Sequence, residues 1–318
     1  MKLARYIGNG EIAILEEPAP VCPPGGLLVR TEASGLCSGE LMAWYMDQKI
    51  PHVLGHEVCG RIIESQDERF PVGHRVFVHH HAPCLACELC RNGLFVHCEQ
   101  WKRTKLIPGG MAETFAASAE NLNDAFLVDE LHPEDAALIE PLACVVKSLQ
   151  RGGTGDRAAV IGLGVMGLMH ALTIGRENVV CFEIAEHRAA YGRQLGLQVL
   201  ESADTDERFD RVFVCPGNQQ ALELSVALVR PGGTVILFSP LPPNTMPHLD
   251  INRLYFADAT LTTSYSCGPD DTRRAAELLA RGTISAKQVV SDFINLDELP
   301  AAYGKMKRGE ILKPMVMF

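Results

Sequence analysis

Four cysteines, Cys84, Cys87, Cys90 and Cys98, constrain this chain more than any other feature. They lie in PCLACELCRNGLFVHC with the spacing C-x2-C-x2-C-x7-C. Tetrahedral zinc takes thiolates at about 2.3 Å, and two-residue gaps let one loop fold its sulfurs onto a point. Thiolates packed so closely repel one another unless a cation lies among them. A pair of disulfides is the other use for such a quartet, but it belongs to secreted chains. Here the chain begins MKLARYIGNGEIAILEE, with charges spread through it, so no secretory leader is expected. Eleven cysteines without a leader point to a reducing compartment, and the cytoplasm is the expected location.

The length of 318 residues allows two domains and a sizeable core. A net charge of −10 disfavours nucleic acid and anionic membranes, which reward clustered Lys and Arg. No apolar run reaches membrane-spanning length. A small-molecule substrate is the partner that remains.

Residues 1–145 read as mostly β. Short apolar runs such as LLVRTEASGLC (27–37) and HRVFVHH (74–80) are cut by Pro and Gly turns. Beyond that point the texture changes. AAVIGLG (158–164), NVVCFEI (178–184), RVFVCPG (211–217), GTVILFS (233–239) and TLTTSY (260–265) are β-rich, and helical patterns such as 186–196 and 218–229 lie between several of them. Such alternation predicts βαβ units and a parallel sheet. The expected domains are 1–145 with a zinc lobe at 84–98, a nucleotide domain at 146–284, and a return to the first domain at 285–318.

Gly162-Leu163-Gly164-Val165-Met166-Gly167 fits G-x-G-x-x-G. It follows an apolar strand and opens a helical stretch, the context that turns a weak pattern into a dinucleotide loop. The glycines let the backbone approach a pyrophosphate, and the helix start supplies unpaired N–H groups. About twenty residues on stands Glu183. A carboxylate there accepts hydrogen bonds from ribose hydroxyls and repels a 2′-phosphate, so NAD is expected over NADP. Arg188 is a further candidate for cofactor contact.

Cys37, in SGLCSGE, and His56-Glu57, in VLGHEVCG, offer a thiolate, an imidazole and a carboxylate, the start of a second zinc site. Glu57 reads either as a ligand or as support behind one. Glu140, in IEPLACVVKSL, and Cys144, on the same helical face, compete for a further position. A catalytic zinc keeps one position open, so not all four can bind together. Trp44 and Tyr45 follow the Cys37 loop and are candidates for a substrate cleft. The run His79-His80-His81 reads as a strand with one buried and two exposed rings.

With these residues in place, the chain resembles the zinc-dependent medium-chain dehydrogenases over essentially its whole length, and their sorbitol dehydrogenase-like branch in particular. The resemblance rests on Cys37, on Gly55-His56-Glu57, on the four-cysteine lobe, on Glu140-Pro141 and on GLGVMG. It implies an α/β chain: a GroES-like β-rich catalytic domain interrupted by a Rossmann domain with a doubly wound parallel sheet. It implies a catalytic zinc on Cys37, His56 and Glu140, with Glu57 as an exchanging ligand, and a structural zinc on the quartet, two per chain. It prefers Glu140 to Cys144, because the sorbitol branch places a glutamate there. A homodimer or homotetramer is implied as well.

Two positions depart from the family pattern. A relay hydroxyl is usual two residues after the first cysteine, where this chain has Gly39, with Ser38 one residue early. A relay histidine is usual three residues further on, where Met42 stands. The expected function is hydride transfer between NAD(H) and a secondary alcohol, polyol or ketone, with zinc as the Lewis acid. The alternative is a non-catalytic relative that keeps both cofactor sites. A zinc-free quinone reductase type would lack Cys37, His56 and the quartet, and a zinc-ribbon nucleic-acid binder would need basic patches that are missing.

Overall fold

The computed structural model describes residues 1–201 and 205–318. The chain divides into two compact units, Met1–Ala143 with Cys267–Phe318, and Cys144–Ser266.

The first unit is β-rich. A sheet of seven strands runs in the order Asp292–Ile294, Pro314–Met317, Leu27–Gly35, Glu57–Ser65, Arg75–Val78 and Ala125–Leu127, with Thr114–Ala117 paired to Leu27–Gly35. A smaller sheet holds Glu11–Glu16, Lys2–Gly8 and His52–Val53. Leu27, Val29, Val58, Ile62, Val76, Val78 and Phe115 form one buried cluster of the larger sheet. Alternation of buried and exposed positions is weak along Leu27–Gly35, because both of its faces are covered.

Strand register brings the chemistry together. Gly35 pairs with Glu57, and both stand at the same end of the sheet. Cys37 is two residues beyond Gly35, and His56 is one residue before Glu57. Met315 also pairs with Gly35, which brings Lys313 to this end. Arg75–Val78 runs antiparallel to Glu57–Ser65 and delivers His79 there too. The strand stops at Val78, so the three histidines lie beyond it. His79 is fully buried, while His80 and His81 are half-buried rather than exposed.

The second unit carries one parallel sheet in the order Gln198–Leu200, Val179–Phe182, Ala158–Ile161, Phe209–Val214, Val229–Leu237 and Thr260–Thr263. Numbered by position in the chain this is 3-2-1-4-5-6, the doubly wound dinucleotide-binding order. The first strands read as unbroken apolar runs because helices cover both faces.

The second unit ends at Ser266, whereas the β/α texture places the boundary at 284. The reason lies in the helix Pro269–Ala280. Its buried face, Asp271, Thr272, Ala275 and Leu279, packs against first-unit segments, and Thr272 Oγ1 donates to Asp124 Oδ1 at 2.6 Å. Amphipathic periodicity identifies such a helix without saying which unit covers its apolar face.

Candidate active site

Cys37 caps a short 3-10 turn, Ser38–Leu41, and its Sγ accepts the Gly39 N–H at 3.4 Å. Glu40 closes the turn from the other side by accepting the Cys37 N–H. Glu40 is buried, and its Oε1 also accepts the Gly55 N–H at 2.8 Å and lies 3.4 Å from His56 Nδ1. A carboxylate on Nδ1 fixes the plane of the ring and leaves Nε2 as the nitrogen that could face a metal. Gly55 must be glycine: its φ is +90°, and a Cβ there would stand 2.4 Å from the Met111 nitrogen. Glu57 is buried and ion-paired to Lys313, whose Nζ also donates to the Leu36 carbonyl at 3.0 Å.

One ligand atom each from Cys37, His56 and Glu57 lies within 4.8 Å of the others. A thiolate, an imidazole and a carboxylate so close are a zinc donor set. Burial raises the Cys37 thiol, with His56 opposing. Burial works to lower His56, yet Cys37 and Glu40 carry it well above its usual value. Burial and His56 thus act on Cys37 in opposite directions, while Cys37 and Glu40 both favour a positive charge at His56, a position that a bound cation would take over.

Glu140 does not join that trio. It lies on the helix Ile139–Arg151, and its carboxylate groups with His79 and Cys267. Burial raises its carboxyl, and the imidazoles of His56 and His79 both pull the other way. Ser38 is exposed at the start of its turn. Trp44 and Tyr45 are 37% and 41% exposed and meet edge to face.

In the cysteine lobe the sulfurs of Cys84 and Cys90 are 3.9 Å apart and those of Cys87 and Cys90 3.5 Å. A tetrahedron with 2.3 Å arms has edges of about 3.8 Å, whereas a disulfide holds its sulfurs at about 2 Å. None of the eleven cysteines, all of them among the described residues, is joined in a disulfide. N–H groups of Ala86 and Cys87 pull the Cys84 thiol down to about 6, toward the thiolate. A ladder of rings connects lobe and site: His56 to His80 at 4.8 Å, His80 to His81 at 4.2 Å, and His81 to Trp101 at 4.2 Å. Trp101 packs in the lobe with Cys90, Val96 and Cys98.

In the second unit Gly162 turns the chain at φ +85° after Ala158–Ile161, and the helix Val165–Ile174 begins at once. Gly167 lets that helix close on the turn, since a Cβ there would stand 1.8 Å from the Gly162 oxygen. Nothing lies within 4 Å of the place a Gly164 Cβ would fill, an opening suited to a pyrophosphate at the helix start. Glu183 is buried just past Val179–Phe182, and it accepts N–H groups from Leu163 at 2.7 Å and Ala185 at 2.8 Å. A carboxylate has about four acceptor positions, so two remain for hydroxyls. Arg188 is half-buried on the helix Glu186–Gln194.

Residues 23–125 match the alcohol dehydrogenase GroES-like domain, and residues 162–281 match the zinc-binding dehydrogenase domain. D-altritol 5-dehydrogenase of Agrobacterium fabrum is 31% identical over 319 residues, covering 94% of each chain. This chain is a zinc-dependent medium-chain dehydrogenase. Sorbitol dehydrogenase of Bacillus subtilis is 27% identical across 99% of this chain and 97% of its own, in keeping with the sorbitol dehydrogenase-like branch. A zinc-binding dehydrogenase from Sinorhizobium meliloti, solved with NADP bound, superposes with a TM-score of 0.88 at 25% identity, covering 100% of this chain and 99% of that one. The dehydrogenase is therefore an oxidoreductase that uses zinc and a nicotinamide dinucleotide to interconvert alcohols and carbonyls. That settles the choice against a non-catalytic relative.

Sequence reading missed Glu40, Lys313 and the pairing of His79 with Cys267. Glu40 carried a signal, three residues after Cys37 in a capping-box arrangement. Lys313 and Cys267 carried none, since each meets its partner only through the sheet.

Proposed function

We propose that this dehydrogenase oxidises a polyol or sugar-derived secondary alcohol with NAD. In this reading a catalytic zinc is held by Cys37, His56 and Glu140, with Glu57 able to exchange, and a second zinc fills the Cys84–Cys87–Cys90–Cys98 lobe. The convergence of Cys37, His56 and Glu57 within 4.8 Å, with Glu140 under the influence of the same imidazole, carries the proposal. The bound zinc supplies Lewis-acid polarisation of an alcohol oxygen, and the nicotinamide supplies the hydride acceptor. The protein's own part is to hold these residues in place. Glu40 orients His56, Lys313 balances the charge of Glu57, and Gly162, Gly164, Val165, Met166 and Gly167 form the cradle for the dinucleotide phosphates.

Relatives named for D-altritol, L-galactonate and sorbitol support a polyhydroxylated substrate. Gly39 and Met42 also favour one, because neither side chain carries a proton. A hydroxyl beside the reacting carbon, or a water chain helped by Ser38 or Glu57, takes that role. Glu183 supports NAD, because a 2′-phosphate would meet its buried charge, and Arg188 is a further cofactor contact. Eleven cysteines without a disulfide among them favour the cytoplasm. Among the described residues no helix is long and apolar enough to cross a membrane.

The test is an oxidation screen of polyols, sugars and secondary alcohols with NAD and with NADP. A vicinal diol is expected to exceed its mono-alcohol analogue in kcat/KM by about 10²-fold or more, the scale of general acid–base assistance. Equal values for the two would remove the substrate-assisted relay. Equal use of NADP would remove the role given to Glu183.

A further inference from the structure

The strand end that holds Cys37 and His56 carries a second donor set, built from His79, Glu140 and Cys267. One ligand atom from each lies within 4.8 Å of the others, and all three residues are buried. Cys267 Sγ is 3.6 Å from His79 Nε2. The opposite nitrogen, Nδ1, lies 2.8 Å from Asp124 Oδ2, and both side chains are within 1% of complete burial. Thr272 Oγ1 fixes Asp124 in turn, donating to Oδ1 at 2.6 Å. An ionised aspartate only accepts, so Nδ1 carries the proton and Nε2 offers a lone pair toward Cys267 and Glu140. A carboxylate behind the far nitrogen of an imidazole is how proteins orient histidine for a metal.

We infer that His79, Glu140 and Cys267 form a metal position of their own, distinct from the Cys37–His56–Glu57 set, with Asp124 as the residue that positions His79. Its nitrogen, oxygen and sulfur donors select a zinc-like divalent ion over magnesium or calcium. A thiolate and a carboxylate neutralise the two charges of such an ion, which a buried site requires. Glu140 is the shared element. When its carboxylate turns to His79 and Cys267 it leaves Cys37 and His56, so the two positions compete for it. The inference does not depend on substrate or on turnover.

The experiment uses the full chain, stripped of metal and titrated with Co2+. Cys37→Ser combined with His56→Ala removes the first set and leaves the lobe. The expected result is two Co2+ per chain, with one dropping out when Cys267→Ser is added and the lobe's four-thiolate spectrum unchanged. A folded Cys37→Ser/His56→Ala chain that holds only the lobe's single Co2+ would overturn the proposal. Circular dichroism reports folding, and Cys37→Ser alone is the milder background should the double variant fail to fold. There the thiolate-to-cobalt absorption beyond that of the lobe must come from Cys267 and must vanish with Cys267→Ser; its absence overturns the inference equally. Turnover of the zinc-loaded wild type is measured separately. An inactive wild type would count against the proposed function and leave the cobalt count to decide this one.

Discussion

Glu40 serves three partners at once. It accepts N–H groups from Cys37 and Gly55 and stands against His56 Nδ1. Its carboxyl is held below its usual value: burial pushes it up, but the His56 charge and the Gly55 N–H outweigh burial. Replacing it with glutamine keeps the size and loses the charge behind the imidazole. Glu40→Gln is expected to lower zinc affinity at the Cys37–His56 site by about 10–100-fold, the usual cost of losing such a partner. Competition with a chelator measures it, and unchanged affinity would remove Glu40 from the site.

At the scale of elements, the lobe is expected to depend on a bound metal more than on its core. Cys90, Val96, Cys98 and Trp101 are too few to bury much apolar surface. Cys90→Ser should release one zinc per chain and unfold residues 84–98, read as faster proteolysis there. Because the ladder His56–His80–His81–Trp101 ends in the lobe, the same change should also loosen zinc at His56; a catalytic zinc held as tightly as before would show that the ladder transmits nothing. A second element-scale case is Glu32, on Leu27–Gly35, which pairs with Arg61 and Arg75 on the next two strands. Burial alone would raise its carboxyl, yet the two guanidinium groups hold it below its usual value. A depressed folded pKa gives stability that is present above the unfolded value, about 4.3, and lost as pH falls through the folded one. Glu32→Gln should therefore cost about 1.5–3 kcal/mol at pH 7, the range for charged hydrogen bonds. In urea unfolding the gap from wild type should close below about pH 4. A gap that stays constant with pH would mean that packing, not charge, was lost.

At the scale of the whole molecule, the second unit presents an unusual surface. Thr260–Thr263 is the last strand of its sheet. The helix before it, Ile251–Phe256, leaves Ile251, Tyr255 and Phe256 exposed at 61%, 75% and 83%. Met246, at 86%, adds to the same stretch of chain. Large apolar groups gathered in this way mark an interface more often than a free surface. The dehydrogenase is expected to sediment as a homodimer or homotetramer, and Phe256→Glu with Tyr255→Lys to shift it toward monomer. A wild type that is monomeric at micromolar concentration would exclude this face as an interface.

What the sequence determined by itself is what short separations determine. The cysteine quartet spans fifteen positions, and its sulfurs meet because a loop with two-residue gaps has nowhere else to put them. GLGVMG made its turn because Gly162 takes a positive φ and Gly167 has no Cβ to keep the helix away. The alternating β and α texture gave the parallel sheet, since strands covered on both faces must be apolar throughout. Tertiary structure decided the rest. Cys267 meets His79 across 188 residues, and Lys313 meets Glu57 across 256. Neither distance leaves a mark on local pattern. The helix Pro269–Ala280 shows the same limit: its periodicity fixed an apolar face, and only packing chose the first unit to cover it. Glu140 is the sharpest instance. Its residue type and position raise the expectation of a metal ligand, but which histidine it faces depends on where three strands end together, and that is set by register across the sheet.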